Sequence, residues 1–239
     1  MNRDVNRAAG ALPGRGYPDA ATFATPARLR LAASARRLVD AVLTNVDADD
    51  ERLDAAAGVV DELVDRLEAE PGAAGRAATA HDGEPRPRHH DDFVPRSPFV
   101  GPANPVSPPF EWEFRDGVLH ARGAFGAAYE GPPGYVHGGW VALAFDEALG
   151  LANVGSGYGG LTGRLTVRYR RPTPLYREVR IEAHTARVDG RRVTTIGSLF
   201  EGNRLLAEAE GLFVGLGAEL ALEYFGERTA PPEPVDPLP

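Results

Sequence analysis

Gly131-Pro-Pro-Gly-Tyr-Val-His-Gly-Gly-Trp-Val-Ala-Leu-Ala-Phe-Asp-Glu-Ala-Leu-Gly150 is the stretch whose reading decides the fold. Gly131, Pro132, Pro133 and Gly134 exclude regular structure up to about Val136. From Trp140 to Ala152 no proline intervenes, and most residues are good or tolerable helix formers. Val141, Leu143, Ala144, Phe145, Ala148, Leu149 and Leu151 leave that helix no wide polar face, so it is buried inside something. Its only charges are Asp146 and Glu147, and a carboxylate on a buried helix is costly without a partner or a task. Gly138 and Gly139 stand where the helix begins, so unpaired N–H groups and the positive end of the dipole face outward with no Cβ in the way. An oxyanion site at the mouth of a buried helix, with an acid two turns in, points to acyl-transfer chemistry.

Composition narrows the classes. The 239 residues suffice for one sizeable domain with extensions. A net charge of -8 argues against a general nucleic-acid binder. With no cysteine there is no disulfide, zinc–thiolate site, iron–sulfur cluster or thiol nucleophile. No apolar run approaches the roughly 20 residues of a membrane span, and no apolar signal core follows Arg3 and Arg7. A cytoplasmic protein without a membrane partner is the expectation.

Along the chain, residues 1–24 read as a flexible N-terminus. Residues 25–72 read as a two-helix extension. Thr25-Pro26 opens its first helix, with Leu31, Ala35, Leu38, Val42 and Val46 as the apolar stripe. The acidic run 47–50 ends that helix and caps the second, whose stripe is Leu53, Ala56, Val60, Leu63, Val64 and Leu67. Two short antiparallel helices follow from this, either a lid or a cover over apolar surface. Residues 73–92 form a linker, and its His81, His89 and His90 lack the preorganisation that metal ligands need, so no metal is expected. Residues 93–217 make the main domain, and 218–239 a disordered tail.

Within that domain, Phe93 to Phe110 is proline-dense and reads as extended. Asp116-Gly117 is a two-residue hairpin signal between Glu111–Arg115 and Val118–Phe125. Leu161 to Arg170 alternates, with Leu165, Val167 and Tyr169 on one face and Arg164, Thr166, Arg168 and Arg170 on the wet one. Strands from Val179, Val193 and Leu205 follow, turning at Asp189-Gly190 and Gly202-Asn203. The order is a hairpin, one buried helix and a four-strand meander. That is an α+β fold in which an antiparallel sheet wraps the helix.

Several segments carry a family resemblance. They are Ala128-Tyr-Glu-Gly-Pro-Pro-Gly-Tyr-Val-His-Gly-Gly139, Asp146, Leu161-Thr-Gly-Arg-Leu-Thr-Val-Arg-Tyr-Arg-Arg-Pro-Thr-Pro-Leu175, Val188-Asp-Gly-Arg-Arg192 and Ala207-Glu-Ala-Glu-Gly-Leu-Phe213. In that order and spacing they resemble the PaaI-type hotdog-fold acyl-CoA thioesterases. The resemblance covers roughly residues 104–214 and says nothing of the helical N-terminal third. It implies a hotdog fold, a curved sheet around the central helix, paired into a homodimer or a dimer of dimers with active sites at the dimer interface. It implies hydrolysis of an acyl-CoA substrate to free acid and CoA without a cofactor.

Residue by residue, the resemblance implies Asp146 as the acid facing the thioester, Gly138 and Gly139 as the amides polarising its carbonyl, and Thr162 as the hydroxyl that holds water or acid. Asp146 would act as general base on water or attack directly to give an anhydride; its structural alternative is a carboxylate that caps a neighbouring strand or bonds Thr162. His137 reads as an orienting hydrogen-bonder or as a proton carrier. Asn104 is either near the thioester or simply forms a turn before Pro105. Arg168, Arg170, Gly190, Arg191 and Arg192 would lie near the CoA nucleotide, where guanidinium forks suit phosphates, or the arginines simply form a solvated face beside Glu178 and Glu182. Trp140 would narrow the acyl space or pack between subunits. A hotdog hydratase is disfavoured, because Pro102 and Ser107 stand where its Asp-x-Asn-Pro-x-His signature needs Asp and His. A non-catalytic acyl-CoA binder is the alternative, and Asp146, Thr162 and the paired glycines together favour catalysis over it.

Overall fold

The computed structural model describes residues 24–69 and 97–215. The expected linker with its three histidines and the expected tail lie outside the described residues, as does the expected flexible N-terminus up to residue 23. In chain order the elements are α1 (Pro26–Thr44), α2 (Asp50–Glu68), β1 (Glu111–Arg115), β2 (Val118–Gly123) and a short 3-10 turn (Ala127–Tyr129). Then come α3 (Gly138–Gly155), β3 (Leu161–Tyr169), β4 (Val179–Asp189), β5 (Arg192–Glu201) and β6 (Arg204–Val214).

The strands form one six-stranded antiparallel sheet in the order β1-β2-β4-β5-β6-β3. Asp116 (φ 53°) and Gly117 (φ 80°) make the β1–β2 hairpin with both central residues in the left-handed region, matching the right-handed twist of the strands they join. The chain leaves β2, crosses the inner face as α3 and lays β3 at the far edge beyond β6. It returns to pair β4 with β2. This is the hotdog arrangement, a curved antiparallel sheet wrapped round one central helix.

The helix follows the sequence reading but turns only one stripe inward. Val141, Ala144, Phe145, Ala148, Leu149, Ala152 and Asn153 are buried, spaced three and four apart. They meet inner-face residues Leu119, Ile181, Val193, Leu199, Ala207 and Phe213 in one continuous core. Although the opposite side of α3 is apolar in sequence, Ala142, Leu143 and Gly150 stay half-exposed there. The helix starts two residues before Trp140, because the His137 side chain caps it and glycines are tolerated in the first turn. It runs on to Gly155, where a Cβ would come within 2.7 Å of the Phe114 ring.

Two expectations need correction. The segment before β1 is not extended. Amides of Gly101, Asn104 and Ser107 donate to carbonyls of Ser97, Gly101 and Asn104 in successive turns. The turns bury Phe99, which packs against Phe110, Trp112 and Phe125 with centroids 5.2 to 6.0 Å apart. Nor do the stripes of the N-terminal helices seal a core. Thr25 and Asp49 cap α1 and α2 as expected. Ala32 alone is buried in α1 and no residue in α2, while Leu38, Val42, Leu63 and Leu67 are exposed. The cause is that α3 already covers the inner face of the sheet. What α1 offers the domain is instead the line Ala32, Arg36 and Asp40.

Phe145→Ala is expected to cost about 3–5 kcal/mol of stability, because it opens a cavity among fully buried side chains. Leu43→Ala on α1 should stay within about 0.5 kcal/mol of wild type. Urea unfolding of both variants measures the contrast, and equal losses would contradict this assignment of the core.

Candidate active site

Two hydrogen bonds strap α3 across the inner face of β3. Tyr169 Oη donates to the Gly138 carbonyl at 2.8 Å, and Thr162 Oγ1 donates to Asp146 Oδ1 at 2.9 Å. The helix therefore runs antiparallel to the edge strand, with its beginning over Tyr169 and its acid over Thr162.

Thr162 reaches Asp146 because the strand carries a bulge. Thr162 pairs with Phe213 and Arg164 with Leu212, leaving Gly163 unmatched. Strict alternation would put Thr162 on the same face as Arg164, Thr166 and Arg168. The extra residue returns it to the helix side, shared with Leu165 and Val167. Asp146 is half-buried and its second oxygen has no partner among the described residues. The carboxylate is thus oriented at one oxygen and open at the other.

At the amino-terminal end of α3, the two glycines differ. Gly139 N–H donates to His137 Nδ1 at 3.0 Å, so that amide is engaged by the cap. No hydrogen bond to Gly138 N–H is present among the described residues. With Nδ1 accepting, the neutral imidazole carries its proton on Nε2 and presents a donor outward. Gly131 is needed beside it, since a Cβ there would sit 2.7 Å from His137 Cα.

Asn104 Oδ1 accepts Val106 N–H at 2.9 Å in the turn around Pro105. The four arginines fall at two separate places on the sheet. Arg168 and Arg170 sit at the Tyr169 end, about 20 Å along the strand from the level of Thr162. Arg168 is on the face opposite α3, and Arg170 is paired there with Glu208 at 2.8 Å. Gly190 (φ 56°) shapes the β4–β5 turn, and Arg191 and Arg192 line a shallow cavity of about 350 Å³ with Asp189 and Val214. Through Val214, Arg192 is level with Leu161, near the Thr162 end of the sheet. Trp140 packs edge-on against Tyr129 of its own chain, centroids 4.8 Å apart. His120 and His184 sit on the face opposite α3, level with Glu182 and Ile196.

Sequence reading missed three participants. Tyr169 was legible only as an alternating apolar residue. Tyr129 sets the helix entry, with its carbonyl accepting His137 N–H at 2.8 Å, its hydroxyl donating to Val106 O at 3.0 Å, and burial pushing its phenol up to about 12. Glu147, beside Asp146, turns away from β3 and accepts from Ser97 Oγ at 3.0 Å. Burial pushes the Glu147 carboxyl above the usual range, opposed by the Ser97 hydrogen bond and reinforced by the Asp146 charge. No local pattern links Ser97 to Glu147 across fifty residues.

Because the folded-state value of Glu147 lies above the unfolded one, the native chain keeps this proton where the unfolded chain has lost it. Stability is then complete below the ordinary value of 4.5 and falls as pH rises through the folded value. Glu147→Gln should therefore melt above wild type at about pH 7, with the gap closing toward about pH 4. Calorimetry across that range checks it, and identical melting at neutral pH would remove the burial argument.

Comparison with known proteins places this geometry in context. Residues 133–209 match the family described as the thioesterase superfamily. Acyl-coenzyme A thioesterase THEM4 of Xenopus laevis is 37% identical over 93 residues, 38% of this chain and 42% of that protein. THEM4 of Mus musculus is 33% identical over 100 residues, 41% of this chain and 43% of that protein. The chain thus spans about two-fifths of the length of these curated relatives. A crystal structure of a thioesterase superfamily protein, 34% identical, superposes with a TM-score of 0.68 over 80% of this chain and 92% of that one.

Proposed function

This chain belongs to the thioesterase superfamily, and from that premise we propose that it hydrolyses an acyl-CoA thioester to the free acid and CoA. The motifs at 128–139 and 161–175 support its assignment to the PaaI-type branch. One observation carries the reading: a carboxylate held at Oδ1 by Thr162 and open at its other oxygen, on the same helix that opens with Gly138 N–H. Asp146 takes the proton of a water that attacks the thioester carbon, or attacks that carbon itself to form an anhydride that water then cleaves. In both routes the C–S bond breaks and CoA leaves as the thiolate, to be protonated by solvent. Gly138 N–H faces the negative charge growing on the carbonyl oxygen, aided by the helix dipole and by the Nε2 proton of His137.

The spacing of these groups supports a site shared by two copies of the chain. Eight residues at about 1.5 Å each put Asp146 about 12 Å along the helix axis from Gly138. The backward tilt of the side chain shortens this only in part, while attack and oxyanion contacts each need about 3–3.5 Å. One thioester then meets Gly138 of one copy and Asp146 of another. The unpaired edge of β3, with Leu161 46% and Tyr169 54% exposed, offers the seam for a homodimer. Arg191 and Arg192 suit the CoA phosphates better than Arg170, whose guanidinium is committed to Glu208.

Asp146→Asn should lower kcat for thiol release roughly 100-fold or more with little change in Tm. Charge reversal at Arg191 and Arg192 should raise KM about tenfold and leave turnover in place. Acyl-CoA binding by the wild type without thiol release would instead select the non-catalytic binder.

Gly138→Pro removes the proposed donor at a first-turn position that accepts proline, after a residue already extended (His137 ψ 134°), and should lower kcat about 10²–10³-fold. Co-refolding equal amounts of the Asp146→Asn and Gly138→Pro chains should restore about a quarter of wild-type activity, since half the dimers then hold one intact site. A mixture no more active than its two parts would refute the shared site.

A further inference from the structure

We propose that Asp40, on α1 and outside the matched residues 133–209, is a positioning residue for the amino-terminal end of α3. Its catalytic consequence rests on the thioesterase reading; the structural connection stands without it. The two leucine stripes of the N-terminal helices face solvent, and the contact that α1 does make is polar and specific.

Asp40 Oδ1 accepts the Ala127 N–H at 3.0 Å and the Tyr176 hydroxyl at 3.3 Å. Ala127 opens the 3-10 turn Ala127–Tyr129, whose cap position is Gly126, a residue with no side chain to satisfy the first amides. Asp40 supplies that cap from 87 residues away. A Cβ on Gly126 would stand 2.9 Å from the same oxygen, so the glycine admits the carboxylate. The turn ends at Tyr129, whose carbonyl holds His137 N–H and whose ring meets Trp140. His137 in turn caps α3 at Gly139. An unbroken series of contacts therefore joins Asp40 to the glycine amides.

The second ligand of Asp40 acts on the neighbouring loop. Tyr176 has φ 57°, a left-handed conformation that bulky residues rarely adopt. Its N–H donates to Phe125 O, while Leu175 N–H donates to Gly134 O and Val136 N–H to Thr173 O. The loop after β3 thus braces residues 134–136 just before the cap, and the Tyr176 hydroxyl ties that brace to Asp40. One turn earlier on α1, Arg36 Nη1 donates to the Asn104 carbonyl at 2.8 Å, securing the turn that accepts the Tyr129 hydroxyl at Val106. Arg36 and Asp40, four residues apart on α1, each hydrogen-bond a segment that in turn holds Tyr129: the 104–106 turn and the 3-10 turn. A helix that merely covered apolar surface would present its leucines here.

The test uses the full chain with Asp40→Ala, Asp40→Asn and Tyr176→Phe. Thiol release gives kcat and KM, and amide hydrogen exchange is followed at residues 136–140. Asp40→Ala should lower kcat about tenfold while KM moves less than about twofold, since displacement of catalytic groups acts on the rate. Asp40→Asn keeps an acceptor oxygen and should recover most of kcat, with Tyr176→Phe between the two. Exchange at 136–140 should quicken in Asp40→Ala and remain near wild type in Asp40→Asn. Wild-type kcat in Asp40→Ala overturns the proposal. So does an equal loss in the Ala and Asn variants that tracks a fall in Tm. If the wild type releases no thiol from any acyl-CoA, the thioesterase reading fails, and the exchange comparison alone decides whether Asp40 positions this end of α3.

Discussion

The constraint on which the rest depends is rotational. Phe145 and Leu149 are fully buried against the sheet, and that fixes the turn of α3 about its own axis. Asp146, one residue on, is carried about 100° round to the β3 side, and Glu147 a further step toward Ser97. Adjacent carboxylates thus enter different surroundings. Both are partly exposed, but one is held at a single oxygen by Thr162, and burial pushes the other toward its neutral form. Neither position follows from its own chemistry, because the apolar stripe beside them decides both.

The edge strand answers that constraint with one irregular residue. Without the unmatched Gly163, the hydroxyl facing Asp146 would turn to the outer face beside Arg164. A glycine suits the place, where an added Cβ would be 3.3 Å from Val214 Cγ2. The same bulge lets Leu165 and Val167 pack inward after Thr162 has done so, although these residues do not share a common parity.

Much of this was legible in the chain. Asp116-Gly117 forced the hairpin, Thr25 and Asp49 marked helix starts, and the apolar run after Trp140 could only be a central helix. These signals are local, since each needs only a turn conformation, a capping oxygen or a period. What escaped reading is relational. A bulge depends on the partner strand, so the face of Thr162 was hidden. The outer-face ion pair of Arg170 depends on Glu208, thirty-eight residues away. The engagement of Gly139 N–H depends on the rotamer of His137. The α1 stripe misled because hydrophobic spacing says that a face can be buried, not that a surface remains to bury it.

The manner in which α1 is attached has a thermodynamic consequence. Undocking α1 and α2 uncovers one buried alanine and breaks a few polar contacts, whereas opening the sheet uncovers the entire aromatic and aliphatic centre. The helical third is therefore a separate cooperative unit, which melts at a fraction of the global free energy and leaves the barrel-like remainder standing. With little area exposed in that first step, denaturant has slight leverage over it. Salt has little more, because the carboxylate and the guanidinium that pin α1 meet neutral partners: an amide, a phenol and a carbonyl.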